Sequence, residues 1–388
     1  MPLPIRNDHR IVAMLALCSV VFTTWGCGGD DGDRHGDGEA TRGKAEGLLP
    51  APPDATAWGP LAYSSAEYRL PAATDPSVIA GRATEIWAAV TRPTDLSGGP
   101  FPILVLLHGN HPTCGDTNTP RIDATCDYST TGVCNAPFPV VTPNHLGYTY
   151  LADRLASWGY LVVQPNVNRG INCSASAPGD PGLNLARGRM VLRHLELLSN
   201  WNRNPGATPA TLGVDLAGAL DFSHVGLLGH SRAGEGIRAA QVLYQQAGSV
   251  WPAKIVDPVM FEGLFEISGN DGQTSLVLDA LGAPWHQMLP GCDGDNTQLP
   301  GVRPFDRMLR STAETAPSPK SYTLIRGSNH AFYSTEWHTS DATGCKGTDN
   351  AAIFDPAGSA SLAQQSLALS LVTAFFRGHV QSPVSGAN

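Results

Sequence analysis

The chain has 388 residues, of which 42% are hydrophobic, and its formal net charge at pH 7 is −9. This length and composition allow one large α/β domain with a sizeable core. Its 25 lysine and arginine residues form no basic run, so nucleic acid is excluded from the expected partners.

Residues 1–27 have the pattern of an export signal. Arg6 and Arg10 precede the apolar run 11–25, which is too short to span a bilayer comfortably. Cys27 follows this run, and a Gly- and Asp-rich stretch follows Cys27. That arrangement resembles the lipobox of bacterial lipoproteins, in which the cysteine is lipidated, although Thr24 and Trp25, three and two residues before Cys27, match it poorly. We therefore expect export, either as a lipoprotein of the bacterial cell envelope (outer membrane or periplasm) with a lipid anchor at Cys27, or as a secreted protein.

The next segment, residues 28–56, is rich in Gly, Asp, Pro and Ala, which predicts a flexible tether. Past residue 57 no Pro- and Gly-rich linker separates two hydrophobic cores. The sequence therefore predicts that residues 57–388 form a single domain.

Apolar strands and amphipathic helices alternate past residue 100. The predicted strands are 63–70, 84–91, 102–107, 160–163, 225–228, 258–267, 285–289 and 321–325, and the predicted helices are 147–158, 183–201, one that follows Gly234, and 361–377. This alternation predicts an α/β fold with a mostly parallel central sheet and helices on both faces.

Six cysteines remain when Cys18 and Cys27 are set aside with the leader. They are Cys114, Cys126, Cys134, Cys173, Cys292 and Cys345. An even number in an exported protein predicts disulfide pairing, and the sequence alone does not choose among the possible connectivities. No Cys-x-x-Cys or Cys/His ligand spacing is present, so we expect no metal site.

The stretch 225–234 has the pattern of a nucleophile elbow. A short apolar strand is followed by Ser231 and then by a helical stripe of apolar residues. Gly229 and Ala233 occupy the positions two before and two after the serine, where only small residues fit. The usual pattern has glycine at the second of these positions, and we expect Ala233 to be tolerated. Since Gly, Ser and Ala are common, the strand and helix around the motif are what favour Ser231 as a nucleophile.

A serine hydroxyl needs a base to take its proton, and the base needs an orienting anion. In one chain order of such a triad, serine precedes the acid and the acid precedes histidine, each just past a strand. His330, five residues past the last predicted strand, is the predicted base, with His338 as the alternative. Asp293 and Asp295 follow the preceding strand and are the candidate acids. A solvated turn or a calcium loop are the other interpretations of these two aspartates.

An ester carbonyl also needs two hydrogen-bond donors for its developing oxyanion. The backbone N–H of Arg232, directly after the serine, is one candidate. The second is Asn110, in the loop after the strand 102–107, which could instead be a simple turn residue. We expect His230 to pack beside the sheet, because it lies on the same turn as the serine.

Together these residues resemble the α/β-hydrolases, and most of all the dienelactone-hydrolase-like group that includes bacterial cutinases and polyester hydrolases. The similarity covers roughly residues 60 to 380. Its motifs are Gly-His-Ser-Arg-Ala around Ser231, Leu-Ala-Ser-Trp-Gly-Tyr-Leu-Val-Val at 155–163, Gly-Cys-Asp-Gly-Asp at 291–295 and Gly-Ser-Asn-His at 327–330. The resemblance implies the α/β-hydrolase fold for the domain 57–388.

The resemblance also implies two details of the site. In the polyester hydrolases a similar Gly-x-Asp-x-Asp run uses its second aspartate in the triad, which favours Asp295 over Asp293. Some of those enzymes join the acid loop to the histidine loop by a disulfide, which implies a bridge between Cys292 and Cys345.

The sequence thus predicts an exported serine ester hydrolase of the carboxylesterase, lipase or cutinase kind. Ser231, His330 and Asp295 would act through an acyl-enzyme without cofactor or metal. The substrate would be a small-molecule or polymeric ester. The long cysteine-bearing loop after Asn110 departs from typical cutinases, so an open polymer groove is not implied. A serine peptidase or amidase of the same fold, and a catalytically inactive surface-binding lipoprotein, are the alternatives.

Overall fold

An eight-stranded sheet forms the centre of the computed structural model, which describes residues 54–118, 124–311, 318–336 and 359–384. Its strands are β1 (Tyr63–Arg69), β2 (Trp87–Pro93), β3 (Phe101–Leu107), β4 (Leu161–Pro165), β5 (Leu220–His230), β6 (Phe261–Ile267), β7 (Trp285–Pro290) and β8 (Lys320–Ile325). Their order across the sheet is β1-β2-β4-β3-β5-β6-β7-β8. β2 is antiparallel to β1 and β4, and the other neighbouring strands are parallel. The predicted mostly parallel sheet is confirmed.

The helices lie mainly in the connections between these strands. They are α1 (Asp127–Thr131), α2 (Thr149–Ser157), α3 (Asn184–Arg203), α4 (Arg232–Gln245), α5 (Trp251–Lys254), α6 (Val302–Arg310) and α7 (Ser359–His379). The four predicted helices correspond to α2, α3, α4 and α7. The helices α1, α5 and α6 were not predicted, because the first two span one turn and α6 follows a turn-rich stretch without a long apolar stripe.

Side chains of β3 point alternately into two apolar clusters, which therefore lie on opposite faces of the sheet. Ile103 and Val105 belong to the larger cluster, which also contains the buried sides of α3 and α4. Leu104 and Leu106 belong to the second cluster, which contains α2 and α7. Every residue of β3 is buried, as expected for a strand covered by helices on both faces.

α7 packs closely on the middle of the sheet. Its buried residues Ala368, Val372 and Phe376 recur every four positions and so share one helix face. At Gly226 of β5, an added Cβ would lie 2.7 Å from Phe376 Cε1 and 2.5 Å from Leu104 Cδ2. The glycine therefore leaves the space that the Phe376 ring occupies.

Two disulfides hold the long segment between β3 and α2. Cys114 pairs with Cys134, and Cys126 pairs with Cys173 in the segment after β4. Cys292 is also disulfide-bonded. Cys345 lies outside the described residues, so its pairing with Cys292 stays a prediction.

The predicted export signal and most of the predicted tether also lie outside the described residues. The residues that are described belong to one compact unit, Pro53–Asn388. Within the described ranges, no helix has both the length and the apolar character that a membrane crossing requires.

Replacement of Phe376 by alanine will lower the free energy of unfolding by about 3–5 kcal/mol, because it removes a fully buried ring and leaves a cavity. Leu362 on the same helix is 62% exposed, and Leu362→Ala will change the free energy by no more than about 0.5 kcal/mol. Urea denaturation measures both. Equal losses for the two variants would contradict the packing of α7 on β5.

Candidate active site

Ser231 lies on a sharp turn between β5 and α4. Its backbone has φ 57° and ψ −125°, a left-handed conformation that is strained for a residue with a side chain. An added Cβ at Gly229 would lie 2.2 Å from the carbonyl oxygen of Ala233, so only glycine fits there. Ala233 itself is fully buried in the larger apolar cluster, which agrees with the expectation that alanine is tolerated.

The elbow is tied to the neighbouring strand by its backbone. The Ser231 N–H donates to the carbonyl of Ile267, at the end of β6, over 2.9 Å. The Ser231 carbonyl accepts from the N–H groups of Gly234 and Asn270. These bonds fix the serine at the carboxyl-terminal edge of the sheet.

His330 and Asp293 form a buried pair at the same edge. His330 follows β8, Asp293 follows β7, and His330 Nδ1 lies 3.0 Å from both carboxylate oxygens of Asp293. Only 3% of His330 and 6% of Asp293 are exposed. The imidazole is therefore held by one carboxylate in a largely water-free position. His338, the alternative base, lies outside the described residues.

Asp295 occupies a different position from the one that the resemblance implied. Its Oδ2 lies 3.4 Å from His330 Nε2, and its side chain is 64% exposed. Asp293 Oδ1 accepts the backbone N–H groups of Asp295 and Asn296, at 3.1 and 2.6 Å. This turn directs the carboxylate of Asp293 inward and leaves that of Asp295 toward solvent. The structure thus reverses the sequence-based preference, since Asp293 faces Nδ1, where an orienting acid is needed.

Ser268 is a third polar partner of this pair, which the sequence analysis missed. Its hydroxyl donates to Asp293 Oδ2 and lies 2.8 Å from His330 Nδ1. Ser268 directly follows β6 and has a positive φ of 49°. Its place at the end of a predicted strand, at the same sheet edge as the acid and the base, was the signal available in the sequence.

The surroundings of Asp293 favour its charged form. Burial raises its pKa, but the hydrogen bonds from His330, Ser268 and the backbone of Asn296, with the charge of His330, outweigh burial. The pKa of Asp293 therefore lies below its ordinary value. A carboxylate that stays ionised can orient a neutral imidazole and stabilise an imidazolium.

His230 joins the elbow to the loop of His330. Its Nε2 donates to the backbone carbonyl of His330 over 2.9 Å, and its Nδ1 accepts from the Tyr148 hydroxyl over 2.5 Å. Burial lowers the pKa of His230 to about 3, helped by the neighbouring His330, so the ring is neutral. It packs beside the sheet as expected, and it links the residue before Ser231 to the main chain of His330.

The two oxyanion candidates belong to segments that adjoin the serine. Arg232 is the first residue of α4, where backbone N–H groups have no acceptor within the helix. The loop after β3 packs directly on the elbow, because an added Cβ at Gly109 would lie 2.7 Å from Ser231 Cβ. Asn110 Oδ1 accepts from the N–H of Cys173 at 2.9 Å and from Arg187 at 3.1 Å. The side chain of Asn110 is thereby held, and its backbone follows the loop beside Ser231.

Arg187 of α3 is a buried cation behind this loop. Besides Asn110, it donates to Asn172 Oδ1 at 2.8 Å and to the carbonyl of Gly182 at 2.9 Å. Among the described residues no carboxylate forms a salt bridge with it. Burial lowers its pKa to about 9, with Arg232 contributing, so it stays charged at neutral pH. Its position three residues before Met190, on the apolar stripe of α3, was the sequence signal that it is buried.

The described part of the chain contains no group of three or more His, Cys, Asp or Glu side chains arranged to hold a metal ion. The calcium-loop interpretation of Asp293 is disfavoured by geometry, because this carboxylate is bonded to His330 and Ser268.

Comparison with models of known protein families gives no match, and comparison with curated proteins gives none either. The assignment of a function therefore depends on the geometry of the site.

Replacement of Asp293 by asparagine will change how stability depends on pH. Because the folded-state pKa of Asp293 is lowered, the carboxylate contributes stability above its ordinary pKa of 3.8, and this contribution is lost as the pH falls through the lower folded value. The gap in unfolding free energy between wild type and Asp293→Asn will therefore shrink from about pH 5 to about pH 2.

The matched control for this measurement is Asp295→Asn, which removes an exposed carboxylate two residues away. In urea titrations at neutral pH it will lower the free energy of unfolding less than Asp293→Asn does, because its carboxylate is exposed and screened. A gap between wild type and Asp293→Asn that does not change with pH would show that His330 and Ser268 do not stabilise the charged carboxylate.

Proposed function

We propose that the chain has the α/β-hydrolase fold and is a serine hydrolase of carboxylic esters. The strand order, with β2 antiparallel in an otherwise parallel sheet, supports this fold. Ser231 follows β5, Asp293 follows β7 and His330 follows β8, which is the chain order of the triad in such enzymes. The observation that carries the proposal is the buried Asp293–His330 pair, whose His330 main chain is hydrogen-bonded to His230, the residue directly before the strained Ser231.

In the proposed reaction, Ser231 Oγ attacks the ester carbonyl while His330 Nε2 accepts its proton. Asp293 holds Nδ1 and stabilises the imidazolium that forms. The backbone N–H groups of Arg232 and Asn110 bind the oxyanion. Collapse of the tetrahedral intermediate transfers the proton to the leaving alcohol. Water then attacks the acyl-enzyme, with His330 as base, and releases the acid and free Ser231. No step requires a cofactor or a metal.

Arg187 and His230 have positioning roles in this proposal. Arg187 fixes the side chain of Asn110, so that the backbone of the oxyanion loop keeps its place beside Ser231. His230 fixes the main chain of His330. Neither needs to touch the substrate.

A serine peptidase or amidase would use the same residues. Such an enzyme is therefore distinguished from an esterase by its substrate and not by its site. An inactive surface-binding protein is disfavoured, because the strained conformation of Ser231 costs of order 1–3 kcal/mol, which binding alone does not require.

Export, with a lipid anchor at Cys27 or without one, remains part of the proposal. The disulfides Cys114–Cys134 and Cys126–Cys173 support it, since such bonds persist in oxidising compartments.

Ser231→Ala will lower kcat/KM for a short p-nitrophenyl ester by at least about 10³-fold, because the acyl-enzyme is no longer formed. Ser366→Ala, which changes an exposed serine on α7, will leave the rate unchanged. A fluorophosphonate probe will label wild type and Ser366→Ala but not Ser231→Ala. Equal ester turnover by wild type and Ser231→Ala would end the proposal, and faster turnover of matched amides would favour the amidase.

The two aspartates will differ sharply in the same assay. Asp293→Asn will reduce kcat by about 10³–10⁴-fold, because the imidazole loses the anion that orients it. Asp295→Asn will reduce kcat by less than about tenfold, since its carboxylate is exposed and screened. The reverse ranking would restore the assignment that the resemblance implied.

A further inference from the structure

A cavity of about 310 Å³ lies apart from the serine, histidine and aspartate of the proposed site. It is lined by residues from three separate segments, 81–83, 129–130 and 169–175. The third segment also contains Asn172 and Cys173, which contact the oxyanion loop. The segment that lines one part of the cavity thus also contacts Asn110.

Two arginines, Arg82 and Arg169, are the charged residues that line the cavity. Arg82 Nη2 donates to the carbonyl of Ser176 at 2.9 Å, and Arg169 Nη1 donates to the carbonyl of Tyr128 at 2.9 Å. Each side chain is therefore fixed by one nitrogen. Arg82 Nη1 and Arg169 Nε are shielded from solvent and have no acceptor within the described ranges. A buried donor left in this state costs about 1–3 kcal/mol.

Within the described ranges, neither of these arginines forms a salt bridge and no acidic residue lines the cavity. Glu85, which accepts from the Tyr128 hydroxyl at 2.8 Å, is already paired with Arg69 at 3.0 Å. Arg82 and Arg169, which both line the cavity, therefore give it positive charge.

Hydroxyl groups complete the lining. Ser129 Oγ and Ser174 Oγ lie 2.7 Å apart, so one donates to the other and the second proton remains available to a ligand. Two arginines with hydroxyl donors suit an anion with several acceptor oxygens, because a guanidinium presents parallel N–H groups to carboxylate or phosphate.

Two glycines allow close packing of the segments that line the cavity. Gly132, at the end of α1, has φ 76°, and an added Cβ there would lie 3.0 Å from Arg169 Nη1. Gly170 also has φ 76°, and an added Cβ would lie 2.4 Å from the carbonyl oxygen of Ala83, next to Arg82. The glycine at 170 thus lets the segment of Arg169 pack closely against the segment of Arg82.

We propose that this cavity is a binding site for a small oxyanion, such as a carboxylate, phosphate or sulfate group, held by Arg82 and Arg169. The anion is either free in solution or the terminal carboxylate of an anionic ester. Binding at this site does not require hydrolysis, so it can be tested without an activity assay.

The test is titration of the full chain with inorganic phosphate at constant ionic strength, followed by thermal unfolding and by calorimetry. Wild type will show saturable binding and a rise in Tm, because a ligand of the folded state alone stabilises it. Arg82→Gln and Arg169→Gln will each weaken phosphate binding at least about tenfold, the loss expected for one charged hydrogen bond. Arg303→Gln, an exposed arginine of α6 outside the cavity, will bind as wild type does.

Three results would overturn the site: no saturable binding by wild type, unchanged binding by Arg82→Gln, or equal weakening in Arg303→Gln. Arg169→Gln also loses a bond to Tyr128, so its fold is checked by Tm without phosphate. If that variant unfolds, the result for Arg82→Gln decides the question, since among the described residues Arg82 donates a hydrogen bond only to the carbonyl of Ser176.

A second arm separates the two sources of the anion. It compares p-nitrophenyl esters of equal length, one with a terminal carboxylate and one neutral. If the substrate supplies the anion, Arg82→Gln will raise KM about tenfold for the anionic ester only, and phosphate will compete with it. If the anion is free, both esters will keep their KM while phosphate binding is lost. Failure of the esterase proposal would remove this arm and leave the binding result intact.

Discussion

The conformation of one residue, Ser231, controls the geometry of the proposed site. A positive φ at a residue with a side chain is unfavourable, and it persists only where the surrounding structure holds it. Here Gly229 allows the first turn of α4 to fold back onto β5, and Ile267 of β6 accepts the Ser231 N–H. Any residue larger than glycine at 229 would separate strand from helix. The central strands and α4 thus work together to present one hydroxyl at the sheet edge.

Buried charged side chains also fix α4, the helix that follows the serine, to the segment after β6. Glu235 accepts the N–H of Gly272 at 2.9 Å, and Arg238, one turn later, forms a fully buried ion pair with Glu266 of β6 at 2.8 Å. Arg238 also donates to Asp271 at 3.1 Å. Since removal of one member of a buried pair leaves an uncompensated charge, these contacts hold the segment after β6 against α4. That segment begins with Ser268, so the same ion pairs help to position the partner of Asp293.

Periodicity and turn chemistry predicted most of the framework. The eight strands and four helices were predicted from their apolar periodicity. Ser231 and His330 were chosen as candidates because each follows the end of an apolar run, and parallel strands bring such ends to one edge of the sheet. Ser268 and Arg187 were missed for a different reason. Ser268 carries no motif, and Arg187 contacts Asn110 only after α3 has packed against the loop beyond β3. Contacts of this kind depend on tertiary packing, which a single sequence does not encode locally.

The choice between Asp293 and Asp295 shows a limit of what the sequence alone predicts about the site. Both aspartates follow β7 on one turn, and a spacing of two residues does not say which of them points inward. The answer depends on the backbone N–H of Asn296, which donates to Asp293 Oδ1 at 2.6 Å and turns that carboxylate toward Nδ1 of His330. Asp295 then falls on the Nε2 side, the side from which the proposed proton transfer from Ser231 must occur. Because its side chain is exposed, Asp295 can move into solvent when a substrate enters, whereas a buried carboxylate in that position would compete with the serine for the imidazole.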